Sequence, residues 1–188
     1  HVLDWDFEEA PFFVESEYGG VSLDHWPTEG GIAQIPVAMR LALFIEAADA
    51  VAAAHGVGVL HKDLKPANLL VYGEGEEAML RVADFGSSRL FDSGRLDELG
   101  ITHLGLTQTQ AISSESGTPL YLAPEVIGGQ SASIKSDVYA LGVTLYQLLV
   151  GDFTRPMAPG WESDISDPLL RQDIADAANG DPAKRLDS

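Results

Sequence analysis

The 188 residues contain no cysteine, which excludes disulfides, thiolate nucleophiles and Cys-ligated zinc together and fits a reducing, cytoplasmic setting. Basic residues are scarce: 11 Lys and Arg stand against 29 Asp and Glu, for a formal charge of −18. A surface of that sign repels phosphate backbones and anionic lipid, so neither a nucleic-acid nor a membrane partner is expected. Attraction of basic proteins is compatible with it, although a solvated acidic exterior is the simpler reading. Long apolar runs are missing too. The best, 138–150, is interrupted by Tyr139, Gly142, Thr144, Tyr146 and Gln147. It falls short of the ~18 residues that a membrane span needs, so a buried helix is expected there. The N-terminus is acidic and has no basic n-region of a signal peptide. The chain opens with His1 in strand-like sequence, and a fragment of a longer protein is expected.

What is present suits one soluble domain. Hydrophobic residues make up 45%, enough for a core, and the length is too short for two large domains. Residues 11–15 read as a strand followed by a turn at Gly19-Gly20. From Pro36 the period changes: Val37, Leu41, Phe44, Ile45, Ala48 and Val51 recur at three and four, predicting a helix over 36–55, about 30 Å long. Pro36 suits its first turn, and Gly56 and Gly58 suit its end. Apolar runs at 57–60, 69–72 and 79–83 follow. The last two flank Gly73-Glu-Gly-Glu-Glu77, a hairpin pattern. That segment superficially matches a dinucleotide fingerprint, but a strand follows it where a helix is required. Residues 87–117 lack sustained periodicity, as long loops that are either functional or disordered do. Helices are expected over 134–150 and 168–178. Strands early and helices late, without β-α-β alternation or internal repeats, give an α+β class.

The chemistry concentrates in His61-Lys-Asp-Leu-Lys-Pro-Ala-Asn-Leu-Leu70 and Asp84-Phe-Gly86. Phosphoryl transfer asks a protein chiefly for positioning, charge neutralisation and metal. An aspartate must meet the attacking hydroxyl, a cation must face the phosphoryl group, and hard oxygens must hold magnesium. Asp63, Lys65 and Asn68 offer these groups within one loop, and Asp84 adds a carboxylate. Gly86 permits a sharp backbone turn after it. His25, His55 and His103 have no partner at metal spacing and read as surface or hydrogen-bonded histidines.

With His-x-Asp-Leu-x-x-x-Asn and Asp-Phe-Gly in this order, the sequence resembles the eukaryotic-type Ser/Thr protein kinases, bacterial ones included. The resemblance covers nearly the whole chain. It implies the kinase fold, with 1–18 as the end of the N-lobe and the hinge and 19–188 as the C-lobe. It implies ATP and Mg²⁺ as cofactors, and protein substrates with Ser or Thr acceptors, with the oligomeric state open. Asp63 is then the catalytic base, Lys65 the phosphate-neutralising lysine, and Asn68 and Asp84 the metal ligands. His61 packs and hydrogen-bonds within the loop. Gly117-Thr-Pro-Leu-Tyr-Leu-Ala-Pro-Glu125 resembles the end of the activation segment, with Thr118 beside the substrate hydroxyl. Phe12-Phe-Val-Glu-Ser-Glu-Tyr18 resembles the last N-lobe strand and hinge. Ser16 becomes the gatekeeper, Glu17 and Tyr18 offer backbone bonds to adenine, and Leu70 packs under the ring. Ser136-Asp-Val-Tyr-Ala-Leu-Gly142 resembles the start of the central helix, where Asp137 accepts catalytic-loop N–H bonds. Arg185 is expected to pair with Glu125.

The sequence departs from the pattern in two places. No Gly-rich loop, Val-Ala-Ile-Lys strand or αC glutamate precedes Phe12, so this piece alone is expected to be inactive. Lysine at 62 replaces the usual arginine and offers a point charge where arginine grips a phosphate bidentately. Activity is therefore expected to depend less on phosphorylation at Thr107, Thr109, Ser113, Ser114 or Ser116. Two other functions remain open: a pseudokinase scaffold and a small-molecule phosphotransferase. The intact Asp63, Asn68 and Asp84 argue against the first. Lys65-Pro66 and Ala123-Pro-Glu125 argue against the second.

Overall fold

The computed structural model describes residues 2–6, 13–26, 31–84, 89–90 and 119–188. Two short strands come first: β1 (Val2–Asp6) pairs antiparallel with β2 (Phe13–Ser16). A second sheet has β3 (Val21–Ser22) on one side of β5 (Leu69–Tyr72) and β6 (Met79–Val82) on the other, all antiparallel. The β5–β6 register, Leu69↔Val82 through Tyr72↔Met79, is the expected hairpin, turned at Gly73, whose φ is +84°. Gly20 (φ +120°) is required where β3 meets β5, because a Cβ there would lie 2.3 Å from the Val71 carbonyl oxygen. Of the strand expected at 11–15, residues 13–15 lie in β2, which runs on to Ser16, and residues 11 and 12 lie outside the described residues.

Helix α1 (Val37–Gly56) differs from the sequence reading in its face and in its first residue. Its buried face is Arg40, Leu43, Ala47, Val51 and His55, whereas Val37 and Ile45 of the expected stripe are exposed. A largely apolar helix offers more than one hydrophobic stripe, and packing chooses between them. Two titratable residues join the chosen face because each has a buried partner. Arg40 donates to the carbonyls of Leu148 and Leu149, closing the C-terminal end of the central helix. The partner of His55 belongs to the site below. Pro36 precedes the helix in extended geometry, and its carbonyl accepts from Met39 and Arg40.

After α1, the strand expected over 57–60 is reduced to β4 (Val59–Leu60), paired with β7 (Arg89–Leu90) inside the stretch read as a loop. A two-residue strand carries no period to detect. The C-terminal half holds α2 (Pro124–Ile127), α3 (Ile134–Val150) and α4 (Pro168–Ala177). At the start of α3, Ser133 N–H donates to Ser136 Oγ (3.0 Å). The helix ends on Gly151 in the left-handed region (φ +83°), the usual way to stop a helix at low steric cost. α3 is buried along nearly its whole length. It crosses α4 at Gly142, where an added Cβ would lie 2.9 Å from Ala177 Cβ and Ala178 N.

One core joins α1, α3 and the β3–β5–β6 sheet around Leu43, Ala47, Leu69, Val71, Ala140 and Leu148. A second joins α3 to α4 around Leu145, Tyr146, Ile165 and Ile174. Among the described residues no helix is long and apolar enough to cross a membrane. The architecture is that of the α+β class: small antiparallel sheets on a helical body.

Candidate active site

The loop 61–68 leaves β4 and returns into β5, so both of its ends are fixed by the sheets. Leu64 and Pro66 are buried beneath it, and Leu23 N–H donates to the carbonyls of Pro66 (3.2 Å) and Leu69 (2.7 Å). On the loop, Lys65 Nζ donates to Asp63 Oδ2 at 2.8 Å, and Asn68 Nδ2 donates to the same oxygen at 3.1 Å and to the Asp63 carbonyl at 2.7 Å. Three residues that the sequence spaces at two and three positions thus meet at one carboxylate. Asp63 remains about a third exposed, open enough to meet a substrate.

Asp84 reaches the site through the backbone. Ala83 N–H donates to the Asn68 carbonyl at 2.8 Å, and the Ala83 carbonyl accepts from His61 Nε2 at 2.9 Å. His61 therefore carries its hydrogen on Nε2, and its Nδ1 accepts from Asp63 N–H at 3.3 Å. One buried imidazole pins the loop to the residue before Asp84. Asp84 is exposed with φ +60°, a left-handed conformation that Asp tolerates better than most residues and that costs on the order of 1–3 kcal/mol.

Beneath the loop lies Asp137 in the first turn of α3. Its Oδ2 accepts from His61 N–H and its Oδ1 from Lys62 N–H, each at 2.8 Å. Lys62 has φ +71°, so the carboxylate holds a strained residue directly before Asp63. His55 Nε2 lies 2.9 Å from the same Oδ2. The sequence reading placed His55 among hydrogen-bonded or surface histidines but did not connect it to this loop. Its apolar helix neighbours concealed the connection.

The segment leading to α2 is tied to the same helix. Tyr121 Oη donates to Gln147 Oε1 at 2.6 Å, and the fully buried Gln147 passes Nε2–H to the Arg155 carbonyl at 2.9 Å. Burial pushes the Tyr121 phenol up to about 12, against the opposing effect of its bond to Gln147. Neither residue was singled out from sequence, since a Tyr and a Gln in apolar surroundings carry no pattern. The expected Arg185–Glu125 pair is present and bidentate: Nη1–Oε1 is 2.6 Å and Nη2–Oε2 is 2.7 Å. The hydrogen bond from Arg185 holds the Glu125 carboxyl below the ordinary carboxylate range, against desolvation.

Among the remaining expected site residues, Leu70 lies on β5 with Cδ1 2.6 Å from where a Gly19 Cβ would be, next to the exposed Glu17 and Tyr18. Ser16 ends β2, opposite Val2. Phe85, Gly86, Thr118 and the hydroxyls at 107, 109, 113, 114 and 116 lie outside the described residues.

The donor set suits a magnesium-bound nucleotide. Asn68 commits its amide N–H groups to Asp63, which leaves its oxygen to accept or to coordinate. Among the described residues no group of three or more His, Cys, Asp or Glu could hold a metal. One amide oxygen and one carboxylate match a small hard cation that takes its other ligands from phosphate and water.

Comparison with known proteins places the chain in a family. The family described as Protein kinase domain matches residues 13–174. Serine/threonine-protein kinase PkaA of Streptomyces coelicolor is 43% identical over 62% of this chain and 19% of its own length. The probable serine/threonine-protein kinase PknB of Corynebacterium glutamicum is 31% identical over 93% of the chain and 25% of its own. Serine/threonine-protein kinase PknD of Protochlamydia amoebophila is 35% identical over 90% and 16%. The chain spans a quarter or less of the length of these relatives. It belongs to the protein kinase domain family.

Proposed function

We propose that the chain carries the catalytic half of a protein Ser/Thr kinase, with 1–18 as the end of the N-lobe and the hinge and 19–188 as the C-lobe. Asp63 takes the proton of a Ser or Thr hydroxyl on a protein substrate. Lys65 neutralises charge at the transferring group and, through its 2.8 Å bond, orients the Asp63 carboxylate. Asn68 and Asp84 hold Mg²⁺, and Mg²⁺–ATP, when bound, supplies the phosphoryl group. The backbone at Glu17 and Tyr18 with Leu70 receives adenine behind Ser16, and Thr118 meets the substrate hydroxyl. The protein works in the cytoplasm. The observation that carries this reading is the meeting of Lys65 and Asn68 on the one carboxylate of Asp63.

The test is phosphorylation of protein and small-molecule acceptors by the full-length protein. Asp63→Asn is expected to lower turnover by about 10²–10⁴-fold, the usual contribution of a positioned base, with nucleotide affinity retained. Equal turnover of both forms refutes the role of Asp63. Transfer to small acceptors alone favours a small-molecule phosphotransferase, and nucleotide binding without transfer favours a scaffold.

A further inference from the structure

Arg40 stands in the buried face of α1, only 6% exposed. Its Nε is buried without a hydrogen-bond partner among the described residues. Burial alone pulls the guanidinium below its ordinary value, and no carboxylate beside it opposes that among the described residues. A buried cation is normally paired. What Arg40 meets instead is the negative end of a helix. Its Nη1 donates to the Leu148 carbonyl and, at 3.3 Å, to that of Leu149.

The turn that Arg40 grips is closed from the other side as well. Gly151 N–H and Asp152 N–H both donate to the Gln147 carbonyl, at 2.8 and 3.1 Å. A Cβ on Gly151 would lie 2.9 Å from Ala33 and 3.2 Å from Arg40 Nη1, so the guanidinium is wedged beside this turn. Gln147 carries the effect onward: its Oε1 accepts from Tyr121 and its Nε2 donates to the Arg155 carbonyl. Tyr121 and Leu122 line the cavity that Asp63 and Lys65 also line. A continuous series of bonded groups therefore runs from α1, through the end of α3, to the segment beside the base. A methionine at 40 would avoid burying a charge, but it would leave the last turn of α3 without its donor.

We propose that Arg40 is a positioning residue for the Tyr121 segment. By holding the last turn of α3 it sets where the Gln147 amide stands, and so where Tyr121 and Leu122 stand beside Asp63. The proposal rests on Asp63 serving a protein acceptor. The series includes neither Asn68 nor Leu70, so acceptor and nucleotide should respond differently.

The experiment compares the full-length wild-type protein with Arg40→Met, Tyr121→Phe and the double variant. It reads kcat, KM for a protein acceptor (casein or histone) and KM for ATP. Arg40→Met is expected to raise KM for the protein acceptor by roughly 2–30-fold, the range for changes that reach a site through packed neighbours, and to leave KM for ATP unchanged. Tyr121→Phe cuts the series at its other end and should do the same. The double variant should be no worse than the more affected single one, because both changes break one connection. Hydrogen exchange at the Gly151, Asp152 and Leu122 amides, which bond Gln147 and Pro119, should quicken in Arg40→Met, while the Ala178 amide at the end of α4 keeps its rate. A merely structural role gives another pattern: loss of folded enzyme lowers kcat, leaves both KM values alone and quickens exchange everywhere. That pattern overturns the proposal, as do unmoved KM values, an equal rise in both, or additive effects in the double variant. If Arg40→Met does not fold, Arg40→Lys takes its place, keeping the charge but bringing a single nitrogen to the two carbonyls; the same pattern is expected at smaller size. Absence of phosphoryl transfer by the wild-type protein overturns the kinase reading, and exchange at Gly151, Asp152 and Leu122 then decides the tether alone.

Discussion

Separating Arg185 from Glu125 should be among the most damaging changes available away from the catalytic loop. The side chains are 0% and 7% exposed, and both guanidinium–carboxylate bonds are short. Arg185 also donates to the carbonyls of Asn179 (2.6 Å) and Lys135 (2.9 Å) and lies 5.0 Å over the Tyr139 ring. Breaking a buried pair by removing one partner costs about 3–5 kcal/mol, because the survivor is left charged and dry. Arg185→Ala should fall at the upper end, since two carbonyls lose a donor as well. Glu125→Ala strands the guanidinium but leaves those carbonyl bonds, and should fall at the lower end. At roughly 2–4 °C per kcal/mol for a domain of this size, either change lowers the midpoint by on the order of 10 °C. The assay is urea unfolding of the full-length protein as a double-mutant cycle. The double variant should be much less destabilised than the sum of the singles, because no charge is left alone. The pH dependence follows in sign. The folded-state Glu125 carboxyl titrates below its ordinary 4.5, so its contribution is complete above that value. It is lost as pH falls through the lower folded value. A coupling energy near zero, or a wild-type minus Glu125→Gln stability difference that grows as pH falls below 4, refutes the argument.

Gly142→Ala sets two effects against each other. Helix propensity favours alanine by about 1 kcal/mol, whereas the new Cβ lies 2.9 Å from Ala177 Cβ and Ala178 N, and overpacking costs about 1–3 kcal/mol. A lower melting temperature is expected, and a higher one would mean that α3 and α4 separate at little cost. Replacing Thr107, Thr109, Ser113, Ser114 and Ser116 with alanine together should leave most of the activity of the full-length protein, because lysine at 62 cannot hold a phosphate bidentately. Complete loss in a peptide phosphorylation assay would count against that.

The sequence exposed what repeats or clusters and concealed what is isolated. The α1, α3 and β5–β6 elements follow from period and turn chemistry. The meeting of Lys65 and Asn68 on Asp63 could be anticipated because all three share a short loop. The bounds of β4 and the existence of β7 could not be read, two residues being too short to show alternation. Arg40 and His55 break an apolar pattern, and only their distant partners, the end of α3 and Asp137, offset the cost of burying them. The same applies to Tyr121 and Gln147, which meet across 26 positions. The α1 face is legible only in part: Val51 is buried and Leu41 and Phe44 pack on the cores, whereas Val37 and Ile45 are exposed, because the helix is apolar on more than one side and the hydrophobic period does not discriminate.

Helix α3 holds three segments at once: Asp137 holds the loop of Asp63, Gln147 holds Tyr121, and Ser136 donates to Glu125 at 3.3 Å. The helix thus serves as a common datum. If it shifts as a rod, the Asp63 loop and the segment of Tyr121 and Glu125 travel together and keep their mutual spacing, so a disturbance transmitted along it alters approach to whatever faces them while the internal alignment survives.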